Sequence, residues 1–213
     1  MTTGGPTAGG DLVLTLTGAS GSAYGVRLLE VWLRSGRTVH LSISPAAAEV
    51  AERELGRTIR LDRFDPADLL GPAADGLDLG RLRYHHFRDF RAGIASGSFL
   101  TGGMAVCPCS MGTVSAIAHG TSSNLIHRAA DVHLKERRRL VLVPRETPLH
   151  LVQLRNLVAC AEAGAVVLPA MPAFYTRPRS LADAVDFIVG RVCDQLGVEH
   201  QMFRRWGGDE PAP

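Results

Sequence analysis

The chain carries the stretch Leu12-Val-Leu-Thr-Leu-Thr17, followed directly by the turn Gly18-Ala-Ser-Gly-Ser22, and this stretch decides the fold. Six uncharged residues in a row are typical of a strand that is buried on both faces. The turn leads into a segment from Ser22 to about Ser35 whose apolar residues fall near helical spacing. A buried strand, a tight turn and a helix are the first half of a βαβ unit, which predicts a parallel sheet.

The same alternation of strand and helix continues to the end of the chain. Further strands are predicted at Thr38–Ile43, Met104–Cys107, Arg139–Val143 and Ala165–Leu168. Further helices are predicted at Ala46–Leu55, Ser110–His119, Asn124–Leu134, Leu149–Ala163 and Leu181–Leu196. Between Gly56 and Gly103 the pattern weakens to two short elements, Ile59–Leu61 and Leu82–Tyr84. We therefore predict an α/β protein with helices on both faces of a parallel sheet.

The composition is that of an ordinary globular domain. Of the 213 residues, 46% are apolar and 21% are charged, which excludes a disordered or fibrous protein. Twenty-three Lys and Arg against 21 Asp and Glu leave a formal charge of +2, so no global field attracts nucleic acid or an anionic membrane. No apolar run approaches the length of a membrane span, and no targeting segment is evident, so we expect a cytoplasmic protein.

Hydroxyl-rich turns follow three of the predicted strands. Gly18–Gly25 is not the GxGxxG pattern of dinucleotide sites, so a mononucleotide such as FMN is the better guess. A second turn, Pro108–Thr113, and a third hydroxyl, Ser44, also stand where a helix begins. Such helix starts favour phosphate, although Ser and Thr there also serve as ordinary N-caps. The ends of parallel strands share one edge, so the three together favour a nucleotide site.

Charged residues near the strand that ends at Val143 suit a second anion. Arg145 can hold a phosphate with two hydrogen bonds, and the neighbouring Glu146 is placed for proton transfer. Basic residues also lie at Arg128 and in the run 135–139, which would otherwise be a solvated face. Asp62, Asp65 and Asp68, the pair His85-His86 and the pair Cys107 and Cys109 lack the partners of a metal site, so no metal is proposed.

Eight motifs in order resemble the UbiX family of flavin prenyltransferases, collinear from about residue 12 to 207. They are Thr17–Gly21 with Tyr24–Leu29, Ala95–Ser98, Cys107–Thr113, Arg128–Val132, Leu134–Arg138, Leu142–Pro148, Pro172–Tyr175 and Arg204–Trp206. The resemblance implies a single-domain, Rossmann-like (flavodoxin-like) fold over residues 11–207, with tails at residues 1–10 and 208–213. It also implies a homo-oligomer, a dodecamer, with active sites between subunits.

The resemblance further implies the reaction. A dimethylallyl group passes from dimethylallyl phosphate to N5 and C6 of reduced FMN without a metal, and the products are phosphate and prenylated FMN, the cofactor of UbiD-type decarboxylases. Earlier names for such proteins were aromatic-acid or 3-octaprenyl-4-hydroxybenzoate decarboxylase.

The resemblance assigns a role to each matching residue. FMN is bound by Gly18, Ala19, Ser20, Ser44, Ser110, Met111, Gly112, Thr113 and Arg145. The dimethylallyl phosphate is surrounded by Ser96, Arg128, Lys135, Glu146, Tyr175 and Arg191. Catalytic roles fall to Ser20 and Glu54 as a proton relay at N5, to Glu146 as the acid at the leaving phosphate, and to Trp206 as a cover of the prenyl pocket.

The sequence departs from the family pattern at Pro45, where relatives often have Lys, and at Arg139, where they have Pro. Residues 56–90 carry no pattern that aligns. Two alternatives stay open: an FMN-dependent peptidyl-cysteine or phosphopantothenoylcysteine-type decarboxylase on the same fold, and a non-catalytic flavin-binding protein.

Overall fold

The strand quoted first lies at the centre of the sheet. The structure, a computed structural model, describes residues 10–205 and residue 207. Apart from Gly10, the tails predicted at residues 1–10 and 208–213 lie outside the described residues. Within these bounds the strands are β1 (Leu12–Leu16), β2 (Val39–Ile43), β3 (Leu82–Tyr84), β4 (Gly103–Cys109), β5 (Leu140–Pro144) and β6 (Val166–Val167). All are parallel, in the order β3-β2-β1-β4-β5-β6, which confirms the predicted class.

Helices cover both faces of the sheet. They are α1 (Ser22–Arg34), α2 (Pro45–Leu55), α3 (Pro66–Leu70), α4 (Met111–Ala118), α5 (Leu125–Lys135), α6 (Leu151–Glu162) and α7 (Leu181–Leu196). Alternate residues of a strand point to opposite faces. Leu14 therefore packs in one core with Trp32 of α1 and Ile188 of α7, while Val13 packs in the other with Val114 of α4 and Ala129 of α5.

The order of the strands reverses at β1. From β1 the chain moves to β2 on one side, and it later crosses to β4 on the other side. In open α/β sheets, ligands bind outside the carboxyl ends of the strands at such a switch point. The turns after β1 and β4 therefore border the expected binding crevice. No helix of the described residues is both long and apolar enough to cross a bilayer.

The region that the sequence left uncertain is a series of short turns around an edge strand. The short element predicted at Leu82–Tyr84 is an edge strand, β3, which pairs with β2. The element predicted at Ile59–Leu61 is wrong, because the chain there leads into a short 3₁₀ helix at Leu61–Arg63. The Tyr84 hydroxyl donates to the Leu61 carbonyl at 3.0 Å, and its ring stacks on Phe64. Tyr84 of β3 thus packs against the 3₁₀ helix and the residue that follows it.

His133 of α5 is buried in a neutral form. Its Nδ1–H donates to the Ala129 carbonyl at 2.7 Å, and its Nε2 accepts from the Thr101 hydroxyl at 2.9 Å. Burial lowers the pKa of His133 to about 4, although the bond to Ala129 acts in the opposite direction. The ring is therefore uncharged at neutral pH.

Mild acid is expected to destabilise the fold through His133. The unfolded chain, with a histidine pKa of about 6.5, binds a proton that the folded chain excludes down to about pH 4. Stability is therefore lost as pH falls through this window, by about 2 kcal/mol between pH 7.5 and 5. Guanidinium unfolding at both pH values measures the loss. The His133→Asn variant should lose clearly less than the wild type over this range, and an equal loss in both proteins would contradict the role of His133.

Candidate active site

Thr17 joins the two turns that border the crevice. Its hydroxyl donates to the Pro108 carbonyl at 3.1 Å and accepts from the Ser110 N–H at 2.7 Å. The residues that follow β1 and those that follow β4 are thereby held side by side. This role of Thr17 was not predicted from the sequence. The one feature that points to it there is a hydroxyl on the first residue after a buried strand.

The first turn of α4 presents hydrogen-bond donors to the crevice. Ser110 caps the helix, since its Oγ accepts from the Thr113 N–H at 3.3 Å and lies 3.1 Å from the Thr113 hydroxyl. The N–H groups of Met111 and Gly112 belong to the first helical turn, where no carbonyl of the helix can accept them. A side chain at Gly112 would meet nothing within 4 Å, so this helix start is open to a ligand. Such a start binds anions.

Ser44 caps α2 on the other side of β1. Its Oγ accepts from the Ala47 N–H at 3.1 Å, and its own N–H donates to the Leu16 carbonyl at 3.0 Å. The capping role that the sequence left open is therefore real. Because capping uses only an acceptor site of the hydroxyl, the Ser44 O–H remains available to a ligand.

Glu54 occupies the start of α1. Its carboxylate accepts from the Gly21 N–H at 3.0 Å and from the Ser22 N–H at 2.7 Å. The expected phosphate site at this helix start is therefore absent, because a side chain from α2 already fills it. Burial alone would raise the pKa of Glu54, but hydrogen bonds from the Ser20 hydroxyl and from the N–H groups of Ser22 and Gly21 outweigh it and lower the pKa. Glu54 is thus held as a carboxylate beside the Ser20 hydroxyl.

Arg145 connects the end of β5 to the turn after β1. Its Nε donates to the Ser20 carbonyl at 3.2 Å. Within residues 10–205 its Nη groups meet no hydrogen-bond acceptor, so they remain for a ligand. The adjacent Glu146 is exposed, and its Oε1 accepts from the Thr147 N–H at 3.1 Å. Both residues line a cavity of about 310 Å³, together with Met171.

A second group of predicted residues lies on α5. The Nε of Arg128 donates to the Ala95 carbonyl at 3.0 Å, next to Ser96. Lys135 pairs with Glu136, and its Nζ lies close to Gly97. The turn at 95–98 is therefore wrapped by the cations of α5. The Ser96 hydroxyl is 2.9 Å from that of Ser98.

One chain does not bring all six predicted phosphate-binding residues together. Lys135 ends α5 and lies before β5 begins, whereas Glu146 follows the end of β5. Lys135 therefore lies near the start of β5, and Glu146 lies near its end. The five residues of β5 separate these two ends by about 15 Å, at roughly 3.3 Å per residue. A site that contains both residues therefore needs more than one chain.

The remaining predicted residues lie near the C-terminal part of the chain. Tyr175 is half exposed in a 3₁₀ helix at Phe174–Thr176, with its ring 6.1 Å from that of Phe187. Arg191 projects from α7, and its Nη1 is 3.2 Å from Oδ2 of Asp194. Trp206 lies outside the described residues.

The residues considered for metal binding do not assemble. Within the described residues no three His, Cys, Asp or Glu side chains form a metal-binding group. Asp62, Asp65 and Asp68 turn to separate partners. Cys107 and Cys109 are fully buried, as expected for small side chains at a strand end.

Comparison with known proteins identifies the family. The sequence model of the Flavoprotein family matches residues 4–193. The flavin prenyltransferase UbiX of Halalkalibacterium halodurans is 47% identical over 199 residues, which cover 93% of this chain and 94% of that protein. The flavin prenyltransferase UbiX of Pseudomonas aeruginosa is 44% identical over 196 residues, which cover 92% and 93% of the two chains.

Solved structures agree with these relatives. The crystal structure of AnUbiX (PadA1) in complex with FMN and dimethylallyl pyrophosphate matches with a TM-score of 0.81 at 39% identity, covering 94% of this chain and 98% of that chain. A PPC decarboxylase structure matches at 14% identity with a TM-score of 0.57, which shows a shared fold alone. Because close relatives match over more than nine tenths of its length, the chain belongs to the UbiX family of flavin prenyltransferases.

Proposed function

We propose that this protein transfers a dimethylallyl group from dimethylallyl phosphate to N5 and C6 of reduced FMN. The observation that carries the proposal is the row of groups along one edge of the sheet. The Glu54 carboxylate accepts from the N–H groups of Gly21 and Ser22, and the Ser20 hydroxyl lowers its pKa. Arg145 and Glu146 stand at the end of β5. The relative AnUbiX holds FMN and dimethylallyl pyrophosphate in its crystal structure.

The crevice fits a flavin mononucleotide. The open helix start at Gly112, the Ser110 and Thr113 hydroxyls and the Nη groups of Arg145 form a donor set suited to one phosphate group. Gly18 and Ala19 have small or no side chains, which lets a flat ring approach the turn. These residues would hold FMN, with Ser44 as a further donor.

The residues that surround the donor phosphate come from more than one copy of the chain. Arg128, Lys135 and Ser96 of one subunit would face Glu146 and Tyr175 of another, because β5 separates the two groups within a chain. An exposed apolar face supports this assembly. It includes Leu151, Val152, Leu154 and Val158 of α6. The UbiX-like decarboxylase of Escherichia coli O157:H7, 41% identical, is dodecameric, and we propose a dodecamer here.

When bound, reduced FMN supplies the nucleophilic N5 and C6. The chain's own residues lower the barrier to loss of phosphate from the allylic carbon. Arg128, Lys135 and Arg191 stabilise the negative charge that grows on the leaving group. Glu146 gives a proton to the departing phosphate oxygen, and Ser20 passes the proton released at N5 to Glu54. The aromatic face of Trp206 would stabilise the allyl cation.

A single domain, residues 11–207, would carry this activity. Its product, prenylated FMN, would serve a UbiD-type decarboxylase. These two parts of the proposal rest on the family resemblance of the motifs.

The proposal is tested by anaerobic incubation of the purified protein with FMNH₂ and dimethylallyl phosphate. Mass spectrometry should show a flavin that is heavier by one prenyl group, with release of one phosphate. A parallel incubation with the diphosphate identifies the preferred donor. An unchanged flavin with both donors would overturn the proposal. Flavin that is bound but never alkylated would favour the non-catalytic alternative.

A further inference from the structure

Asp194 of α7 is the centre of a cluster of cations outside the crevice. Its Oδ1 lies 2.6 Å from Nη2 of Arg205 and 3.1 Å from Nε2 of His200. Its Oδ2 lies 3.2 Å from Nη1 of Arg205 and 3.2 Å from Nη1 of Arg191. One carboxylate therefore holds two guanidinium groups, one of them with two parallel bonds.

His200 contributes a hydrogen-bond donor to this cluster. Its Nδ1 accepts from the Met202 N–H at 3.3 Å, so Nε2 carries the proton that is donated to Asp194. The imidazole is almost fully buried, with 3% of its side chain exposed. Two guanidinium charges against one carboxylate leave one net positive charge, so the cluster still attracts an anion.

Gly190 shows that the segment after α7 is built to lie on this helix. A glycine inside a helix is less favourable than alanine. Here a Cβ would clash with the Phe203 ring and would come within 2.7 Å of Cε1 of His200. The Phe203 ring also packs 5.0 Å from Phe187, which contacts the Tyr175 ring. Phe187 of α7 thereby contacts both residues 198–205 and the loop that carries Tyr175.

We propose that Asp194 is a positioning residue of the prenyl-transfer site. It fixes the guanidinium of Arg191, and through Arg205 and His200 it anchors residues 198–205 against α7. Arg191 keeps its Nε and Nη2 for the donor phosphate, because Asp194 takes only Nη1. This inference rests on the proposed function in one respect, the role of Arg191 toward the donor; the anchoring of the segment does not depend on it.

Hydrogen exchange tests the anchoring. In Asp194→Asn, amide exchange in residues 198–205 should be at least tenfold faster than in the wild type. The control is Asp186→Asn, which removes the same charge from the same helix, where Asp186 binds Arg27 at 2.7 Å. Gly190→Ala should also accelerate exchange in this segment, although it favours the helix. Unchanged exchange in both Asp194→Asn and Gly190→Ala would overturn the anchoring role.

Kinetics test the effect on Arg191. Asp194→Asn should raise KM for dimethylallyl phosphate about tenfold while kcat changes less than threefold, and Asp194→Glu should recover part of the loss. In an Arg191→Ala background the further change at Asp194 should have no effect on KM, since coupled residues are not additive. Full additivity, or a tenfold rise in Asp186→Asn as well, would overturn the role. If the wild type makes no prenylated flavin, the proposed function fails, while hydrogen exchange still decides the anchoring.

Discussion

Replacing Glu54 by Gln is expected to slow flavin prenylation by about 10²–10⁴-fold, the usual contribution of a general base. The carboxylate accepts the Ser20 hydroxyl and the N–H groups of Gly21 and Ser22. An amide has one acceptor oxygen in place of two, so it satisfies the N–H groups only by turning its NH₂ toward Ser20. The Ser20 hydroxyl then has no carboxylate beside it to accept its proton. Anaerobic single-turnover formation of the prenylated flavin measures the effect.

The same substitution is expected to cost about 1 kcal/mol of stability, as the loss of a helix N-cap does. Because the folded pKa of Glu54 is lowered, its stabilising effect is present above the unfolded pKa of about 4.3 and is lost as pH falls through the lower folded value. The difference in unfolding free energy between the two proteins, measured by urea unfolding, should therefore be larger at pH 7 than at pH 3.5. The control is Glu52→Gln on the same helix, whose carboxylate accepts from the Thr58 hydroxyl at 2.8 Å. If Glu52→Gln slows prenylation as much as Glu54→Gln does, Glu54 has no special role.

The sheet was predictable because four of its six strands are buried on both faces. A nearly continuous apolar stretch such as Leu12–Leu16 indicates a strand buried on both faces, and the helices between such strands indicate parallel pairing. The prediction was wrong at Ile59–Leu61, where the apolar residues are few and the packing of Tyr84 on Phe64 decides the conformation. Short segments of this kind are determined by tertiary contacts rather than by their own pattern.

Individual site residues could be predicted from the sequence, but the contacts between them could not. Ser20 and Arg145 stand at strand ends, which the periodicity locates. The contact of Glu54 with Gly21 and Ser22 joins residues more than 30 positions apart, and no local pattern encodes it. The Glu54 carboxylate accepts from the N–H groups that the sequence of the turn alone had suggested would bind a phosphate. Likewise, the sequence motifs assign Lys135 and Glu146 to the same phosphate-binding site. In the folded chain, however, the two residues lie at opposite ends of β5.

Glu146→Gln is expected to leave FMN bound and to slow loss of the donor phosphate by about 10²–10⁴-fold. Glu146 follows β5 in a loop beside the cavity, and among the described residues its side chain accepts only from the neighbouring Thr147 N–H. Its replacement therefore removes a proton donor without disturbing the fold. Arg145, which is tied to the turn at Ser20, stays in place to hold the flavin phosphate.

The distinguishing measurements for Glu146 are flavin affinity and phosphate release in the same sample. FMN titration should give the same Kd for Glu146→Gln and wild type, while rapid-quench phosphate release should fall by the full factor. Glu162→Gln, an equally exposed carboxylate at the end of α6, is the control and should change neither quantity. Unchanged release in Glu146→Gln would remove Glu146 from the reaction and leave only the cations to stabilise the leaving phosphate.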